Sequence, residues 1–174
     1  MNLKPLKFAG VVSLIMGVLF TITGGVVWGI VTSQLAAERI TVSADAPFAG
    51  GSQVSGPISA FAQAEVINTH ALKGSNGLTY AELGAAATAA RNAATKATEA
   101  GDTAEAQAQT AKAEELTKQR TTAMNGSFLR ASLFTSVLSY GVCLFAIGVG
   151  LTLIVFGWAF TKVASSASAA RAAA

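Results

Sequence analysis

Two long stretches without a charged side chain, residues 8–37 and 131–161, constrain this 174-residue chain more than any other feature. A helix needs about 20 residues to cross about 30 Å of hydrocarbon, so each run is long enough to span a membrane with tilt. The first is densest in large aliphatic residues, Phe and Gly from Phe8 to Val31, the second from Leu133 to Phe160. With 52% hydrophobic and only 12% charged residues, the whole chain is too apolar for a water-soluble single domain. Lys4 and Lys7 ahead of the first run resemble the start of a cleavable signal peptide. That run, however, far exceeds the roughly 15 residues of a signal-peptide core, and Gln34-Leu35-Ala36-Ala37 offers no clean A-x-A cleavage site. A retained anchor is the expectation.

Charge sets the orientation. Lys4, Lys7, Lys162 and Arg171 flank the spans with no acidic residue beside them, whereas Glu38 to Arg130 holds eight basic and nine acidic residues. The excess of Lys and Arg on the terminal side predicts residues 1–7 and 162–174 in the cytoplasm, spans at 8–32 and 130–161, and an extracytoplasmic segment at 33–129. Trp28 and Trp158 near span ends suit an aromatic belt, and Arg130 can snorkel to the outer headgroups; these three are the expected interface anchors. The net charge of +3 is spread over scattered residues, which gives no footprint for nucleic acid.

Small residues recur along both spans at spacings of three, four and seven: Gly10, Ser13, Gly17 and Gly24 in the first, Ser132, Ser136, Ser139, Cys143, Ala146, Gly150 and Gly157 in the second. In hydrocarbon there is little hydrophobic gain from association, so close backbone approach at small residues is a main source of attraction. Pairing the cytoplasmic ends first matches Gly10 with Gly157, Gly17 with Gly150 and Gly24 with Cys143, an antiparallel hairpin in which Cys143 acts as a small packing residue. A second ladder in the first span, Ser13, Gly17, Thr21, Gly25 and Gly29, has the four-residue spacing of right-handed crossings and could receive another subunit.

Between the spans the composition changes twice. Ile40, Val42 and Ala44 alternate with polar residues, and Asp45-Ala46-Pro47, Gly50-Gly51 and Gly56-Pro57 signal turns, which predicts a membrane-proximal loop or short β-hairpin. Pro57 can open a helix over 57–72. Thr79-x-x-Glu82 has capping-box spacing and Asp102-x-x-Glu105 repeats it, so Ala-rich helices are expected at 80–100 and 103–123, folded as a hairpin along Ala86, Ala90, Ala93, Ala97 and Ala100. With Leu83, Leu116 and Met124 nearly its only large apolar residues, that hairpin has a thin core; a low-complexity helical insertion that needs a partner is the equal alternative. The fold expected is mainly α: a two-helix membrane hairpin carrying a mostly helical outer segment.

No catalytic, cofactor-binding or metal-binding residues emerge. One cysteine, Cys143, cannot form an internal disulfide, and one histidine, His70, cannot supply a multi-histidine metal site. Glu65 and His70 fall about 140° apart around a helix. The glycine clusters lie inside apolar runs and match no phosphate-binding loop. No Asp, Glu, Lys, Arg or His interrupts the dense spans, which disfavours a proton relay or autonomous ion pathway.

The runs starting at Ile40 (ITVSAD), Gly56 (GPISAFAQAEVI), Leu78 (LTYAEL) and Ser127 (SFLRASLFTSVL) resemble a family of small actinobacterial two-span membrane proteins, over most of the chain except the Ala-rich insertion. The resemblance implies the topology and an actinobacterial cell membrane. Family members often carry the label of aromatic ring-opening dioxygenase, a chemistry that requires an iron site such as two histidines and a carboxylate. This chain has one histidine, and no active residues carry over. The expectation is therefore a non-catalytic accessory or scaffold subunit of a larger cell-membrane complex, respiratory or transport, embedded in the lipid bilayer. A self-assembling homo-oligomer, or an extracytoplasmic sensor or ligand-binding module, are the alternatives.

Overall fold

The computed structural model describes residues 3–172, with side chains as far as Ala167. Met1, Asn2, the Arg171 side chain and residues 173–174, all within the expected cytoplasmic termini, lie outside the described residues. Among those described there are four helices: α1 (Lys4–Ala37), α2 (Pro57–Gly74), α3 (Tyr80–Glu99) and α4 (Thr103–Ala172). Two of them, α1 and α4, are long and apolar enough to cross a membrane. The chain divides into two compact units, one made of Met1–Arg39 with Ser136–Ala174, the other of Ile40–Thr135.

In the first unit α1 starts with Pro5 in its opening turn, where a missing N–H costs nothing, and runs 34 residues before Arg39 turns the chain at φ 53°. Its buried positions are Gly10, Gly17, Gly24 and Leu35. Those of α4 in this unit include Tyr140, Cys143, Gly150, Gly157 and Ala164. Apart from Leu35 and Tyr140, many large aliphatic and aromatic side chains point outward instead, with Phe8 71% and Phe145 72% exposed. A soluble core inverts this arrangement.

The second unit is built the ordinary way round. Val42, Val54, Ala60, Ala62, Ala64, Val66 and Leu83 are buried, and the charged side chains are exposed except for the half-buried Glu65, Arg120 and Arg130. Of the loop or short hairpin expected at its start, the structure has the loop. Thr41 and Gln53 make one isolated antiparallel bridge, and Val42, Gly51 and Val54 close the loop by backbone hydrogen bonds of 2.8–2.9 Å. The Ser52 N–H bonds the Ala49 carbonyl at 3.1 Å instead of pairing back to Val42, which ends the ladder, and the Ser43 N–H, on the other edge, donates to the Gln63 side chain at 3.0 Å.

Helix α2 opens at Pro57, and the Ser59 hydroxyl oxygen accepts from the Gly56 N–H. It runs to Gly74, where Gly77 at φ 82° returns its N–H to the Leu72 carbonyl, 2.7 Å. Gly101, at φ 75°, ends α3 in the same manner, with Asp102 N–H on the Ala97 carbonyl at 2.9 Å. The sequence reading parts a helix over 103–123 from a span over 130–161. The structure makes them one helix. Nothing in Met124 to Leu129 breaks it: there is no proline, and Gly126, which costs about 1 kcal/mol against alanine in a helix interior, lets Ala71 and Ile67 approach to 3.4 and 3.6 Å of where its Cβ would stand. The heptad expected in α3 is also out of phase. The buried positions are Leu83, Ala87, Ala90 and Ala97, with Ala86 and Ala93 half-buried and Ala100 exposed.

Candidate functional site

The seam of the first unit is made by the absence of side chains. Gly10 and Gly157 face each other so closely that a Cβ on the first would stand 2.9 Å from the carbonyl oxygen of the second, and one on the second 2.6 Å from that of the first. Gly17 and Gly150 repeat the arrangement at 2.6 and 2.7 Å. A Cβ on Gly24 would meet the Cys143 carbonyl at 2.9 Å and the Ile147 side chain at 2.8 Å. Each carbonyl occupies the place where a side chain would begin, an approach that favours Cα–H···O contacts of about 0.5–1 kcal/mol each. The small residues buried here recur every seven positions, the period of helices that wrap left-handedly around each other.

The structure brings together the three residue pairs that the spacing predicts and treats the other small residues unequally. Ser13, Ser136, Ser139 and Ala146 are half-buried beside the seam, and Ser132 is exposed. The four-residue ladder divides. Thr21 stands beside Gly150 and bonds the Gly17 carbonyl at 2.9 Å, so it belongs to the seam already made, whereas Gly25 and Gly29 are exposed with nothing within 4 Å of a Cβ. On α4, Gly141 and Gly148 are equally bare, and Gly148 opens a shallow apolar groove between Phe145 and Phe156.

Tyr140 is the residue that a search for small side chains misses. It is 1% exposed, its hydroxyl lies 2.9 Å from the Thr32 hydroxyl, and its ring meets Trp28 edge-on at 4.7 Å. The signal available in the sequence is its place three residues before Cys143, on the same helical face. Trp28, expected as an interface anchor, is therefore also a packing partner. Trp158 is 59% exposed.

In the second unit Arg130 is held by protein. Its guanidinium is 3.2 Å from the Glu65 carboxylate and 5.1 Å from the centre of the Phe134 ring. Glu65 and His70, dissociated on the helix wheel, have separate partners, for His70 Nε2 lies 2.8 Å from Asp45 Oδ2. That bond holds the Asp45 carboxyl below its ordinary pKa. Thr79 and Glu82 form the expected box: the Thr79 N–H and hydroxyl donate to the Glu82 carboxylate at 2.8 and 2.7 Å, and the Glu82 N–H donates back at 3.4 Å. The Thr79 backbone and hydroxyl bonds keep the Glu82 pKa below its ordinary value. Asp102 caps α4 by accepting from the Glu105 N–H at 3.0 Å, while the Glu105 side chain turns forward to Gln109 at 2.8 Å.

Arg91 bridges α3 and α4 through the Thr117 hydroxyl at 2.8 Å, and Arg120 lies over the Tyr80 ring at 4.1 Å. Among the described residues no three of His, Cys, Asp and Glu stand close enough together to hold a metal ion. What the arrangement offers is packing: a filled glycine seam and two bare glycine faces. No family model, curated protein or solved structure matches this chain.

Proposed function

We propose that this chain is a two-span cell-membrane protein, with both termini cytoplasmic and residues 33–129 outside, and that it serves as a non-catalytic accessory or scaffold subunit whose bare glycine face receives a helix of a larger complex. The observation that carries the reading is the contrast along α1: Gly10, Gly17 and Gly24 are occupied by the chain's own second apolar stretch, while Gly25 and Gly29 meet nothing. In hydrocarbon, association depends on close contact at small residues, so an open glycine face is a surface on which another helix gains packing that lipid chains supply less well. The excess of lysine and arginine beside the terminal ends of the spans supports the orientation.

The test is extraction of native membranes in mild detergent through a C-terminal tag, followed by sizing and mass spectrometry. A stoichiometric set of other subunits, lost on Gly25→Leu, is the expected result. A monomer alone overturns it. Because the same bare face would serve two copies equally well, a large particle of this chain alone, dissociated by Gly25→Leu, would establish self-assembly instead.

A further inference from the structure

In the second unit, α2 and the adjoining part of α4 run in opposite directions, as three contacts show. Gly126 lies against Ile67 and Ala71, Arg130 against Glu65, and the Phe134 ring against the Phe61 ring at 5.8 Å. Moving along α4 toward its uncharged run thus means moving toward the start of α2. Phe134 is already inside that run, which begins at Ala131. Phe61 lies level with it, and Ile58, one turn earlier in α2, lies about 4.5 Å further in the same direction. Phe48, from the loop before α2, stacks on Phe61 at 6.2 Å.

These three side chains are not covered: Ile58 is 69%, Phe48 42% and Phe61 41% exposed. Four residues back along α4, about 6 Å, Arg130 is paired with Glu65. The order along the helices is therefore charge pair, aromatic pair, bare aliphatic. That is the order of a bilayer boundary from headgroup to acyl chain, where an apolar face sinks about 5–10 Å.

We propose that the first turn of α2 and the tip of the 40–56 loop dock on the outer membrane–water boundary through Ile58, Phe61 and Phe48. This rests on the two-span reading given above, since the depth of Phe134 fixes the depth of the rest. The occupant is the lipid surface itself, because the patch is continuous with the start of a run uncharged from Ala131 to Thr161. The nearby charged groups are engaged within the protein, Arg130 in an ion pair with Glu65 and Asp45 in a hydrogen bond with His70, so insertion is driven by apolar area and zwitterionic lipid suffices.

The test uses the full chain with Cys143→Ala, nitroxide-labelled singly at Ile58→Cys, Phe48→Cys, Lys73→Cys or Phe145→Cys, in phosphatidylcholine vesicles. Accessibility to oxygen against a water-soluble nickel chelate is then read, with helicity of each protein matched to its parent. The expected result is oxygen-favoured labels at 58, 48 and 145 and a nickel-favoured label at 73, the far end of α2. Should the label at 58 disturb the fold, the one at 48 reads the same surface from the loop. Labels at 58 and 48 as nickel-accessible as the one at 73, beside an oxygen-favoured 145, overturn the docking and leave the spans standing. A nickel-favoured 145 overturns the spans, and the docking with them.

Discussion

The molecule contains two helix pairs seamed by small residues, and they are held by opposite means. Between α1 and α4 the seam is glycine, and carbonyl oxygens stand where side chains would begin. Between α3 and the start of α4 the seam is mainly alanine, buried at Ala87, Ala90, Ala97 and Ala113 around one large side chain, Leu83. The glycine pair turns its bulky residues outward and depends on backbone proximity; the alanine pair buries methyl groups, a small apolar area, and adds caps and arginine side chains laid across the helices. Packing by proximity suits a solvent as apolar as leucine, and burial with polar fastening suits water. Small residues therefore do not have one meaning, and what surrounds them decides it.

The sharpest way to break the comparison is to fill the glycine seam. Gly150→Leu drives a side chain into the Gly17 carbonyl and the Thr21 backbone, with no flexible neighbour able to yield along the whole contact. The expected loss is more than about 3 kcal/mol, the upper end of overpacking penalties, because backbone has to move. It is read as lost thermal stability in detergent and a changed Trp28 emission as its contact with Tyr140 opens. Gly25→Leu, added to open space, leaves both unchanged. Equal effects of the two substitutions would show that the seam does not hold the pair. Next in size is Leu83→Ala, which removes the one large buried side chain of α3. About 2–4 kcal/mol is the expected cost, seen as faster hydrogen exchange through α3 with α1 unaffected.

Caps separate the two regions more gently. Thr79→Ala removes both hydroxyl bonds of the box and should cost about 1 kcal/mol, visible as fraying of the first turn of α3. The pH dependence follows from the same groups. Glu82 and Asp45 have pKa values lowered by their bonds, so their contribution is fully present above the ordinary carboxylate range and is lost as pH falls through the lowered values. Hydrogen exchange in the start of α3 and in the 40–56 loop should therefore rise only in acid below about pH 4, with no change attributable to these two carboxyls from pH 5 to 8. The first unit's seam has no ionisable side chain within residues 8–37 or 131–161 apart from Tyr140 and Cys143, and should remain flat through that acid window.

How much of this is legible in the sequence differs between the regions for the same physical reason. Heptad-spaced glycines inside an uncharged run can be read in only a few registers, and Gly10, Gly17 and Gly24 meet the expected partners. The alanine helix carries no such phase. Where alanine recurs on every face, one buried leucine sets the rotation, and Leu83 places the seam on Ala87, Ala90 and Ala97, leaving Ala100 exposed. The contacts that join distant segments were silent as well. Arg130 reads in sequence as a headgroup anchor, and nothing there shows that Glu65, 65 residues away in the chain, pairs with it. The loop or short hairpin expected after Ile40 is a loop with one bridge, and its tie to α2, from the Ser43 N–H to Gln63, has no signal in the sequence.

Tyr140→Phe is the finest test, since it removes one oxygen and keeps the ring. The Thr32 hydroxyl loses its partner at 2.9 Å, yet a threonine in a helix can turn its hydroxyl to the carbonyl four residues back, so the orphaned group has an alternative. Hydrogen bonds between membrane helices average about 0.6 kcal/mol, far below their strength in vacuum, because the separated helices find partners too. A loss of about that size is expected in detergent melts, with the Trp28 edge contact and its emission retained. Tyr140→Ala removes the ring as well and should cost several times more, about 3 kcal/mol or above. If the two substitutions cost the same, the hydroxyl bond rather than the buried ring fastens this end of the pair, and the first region would rely on polar fastening as the second does.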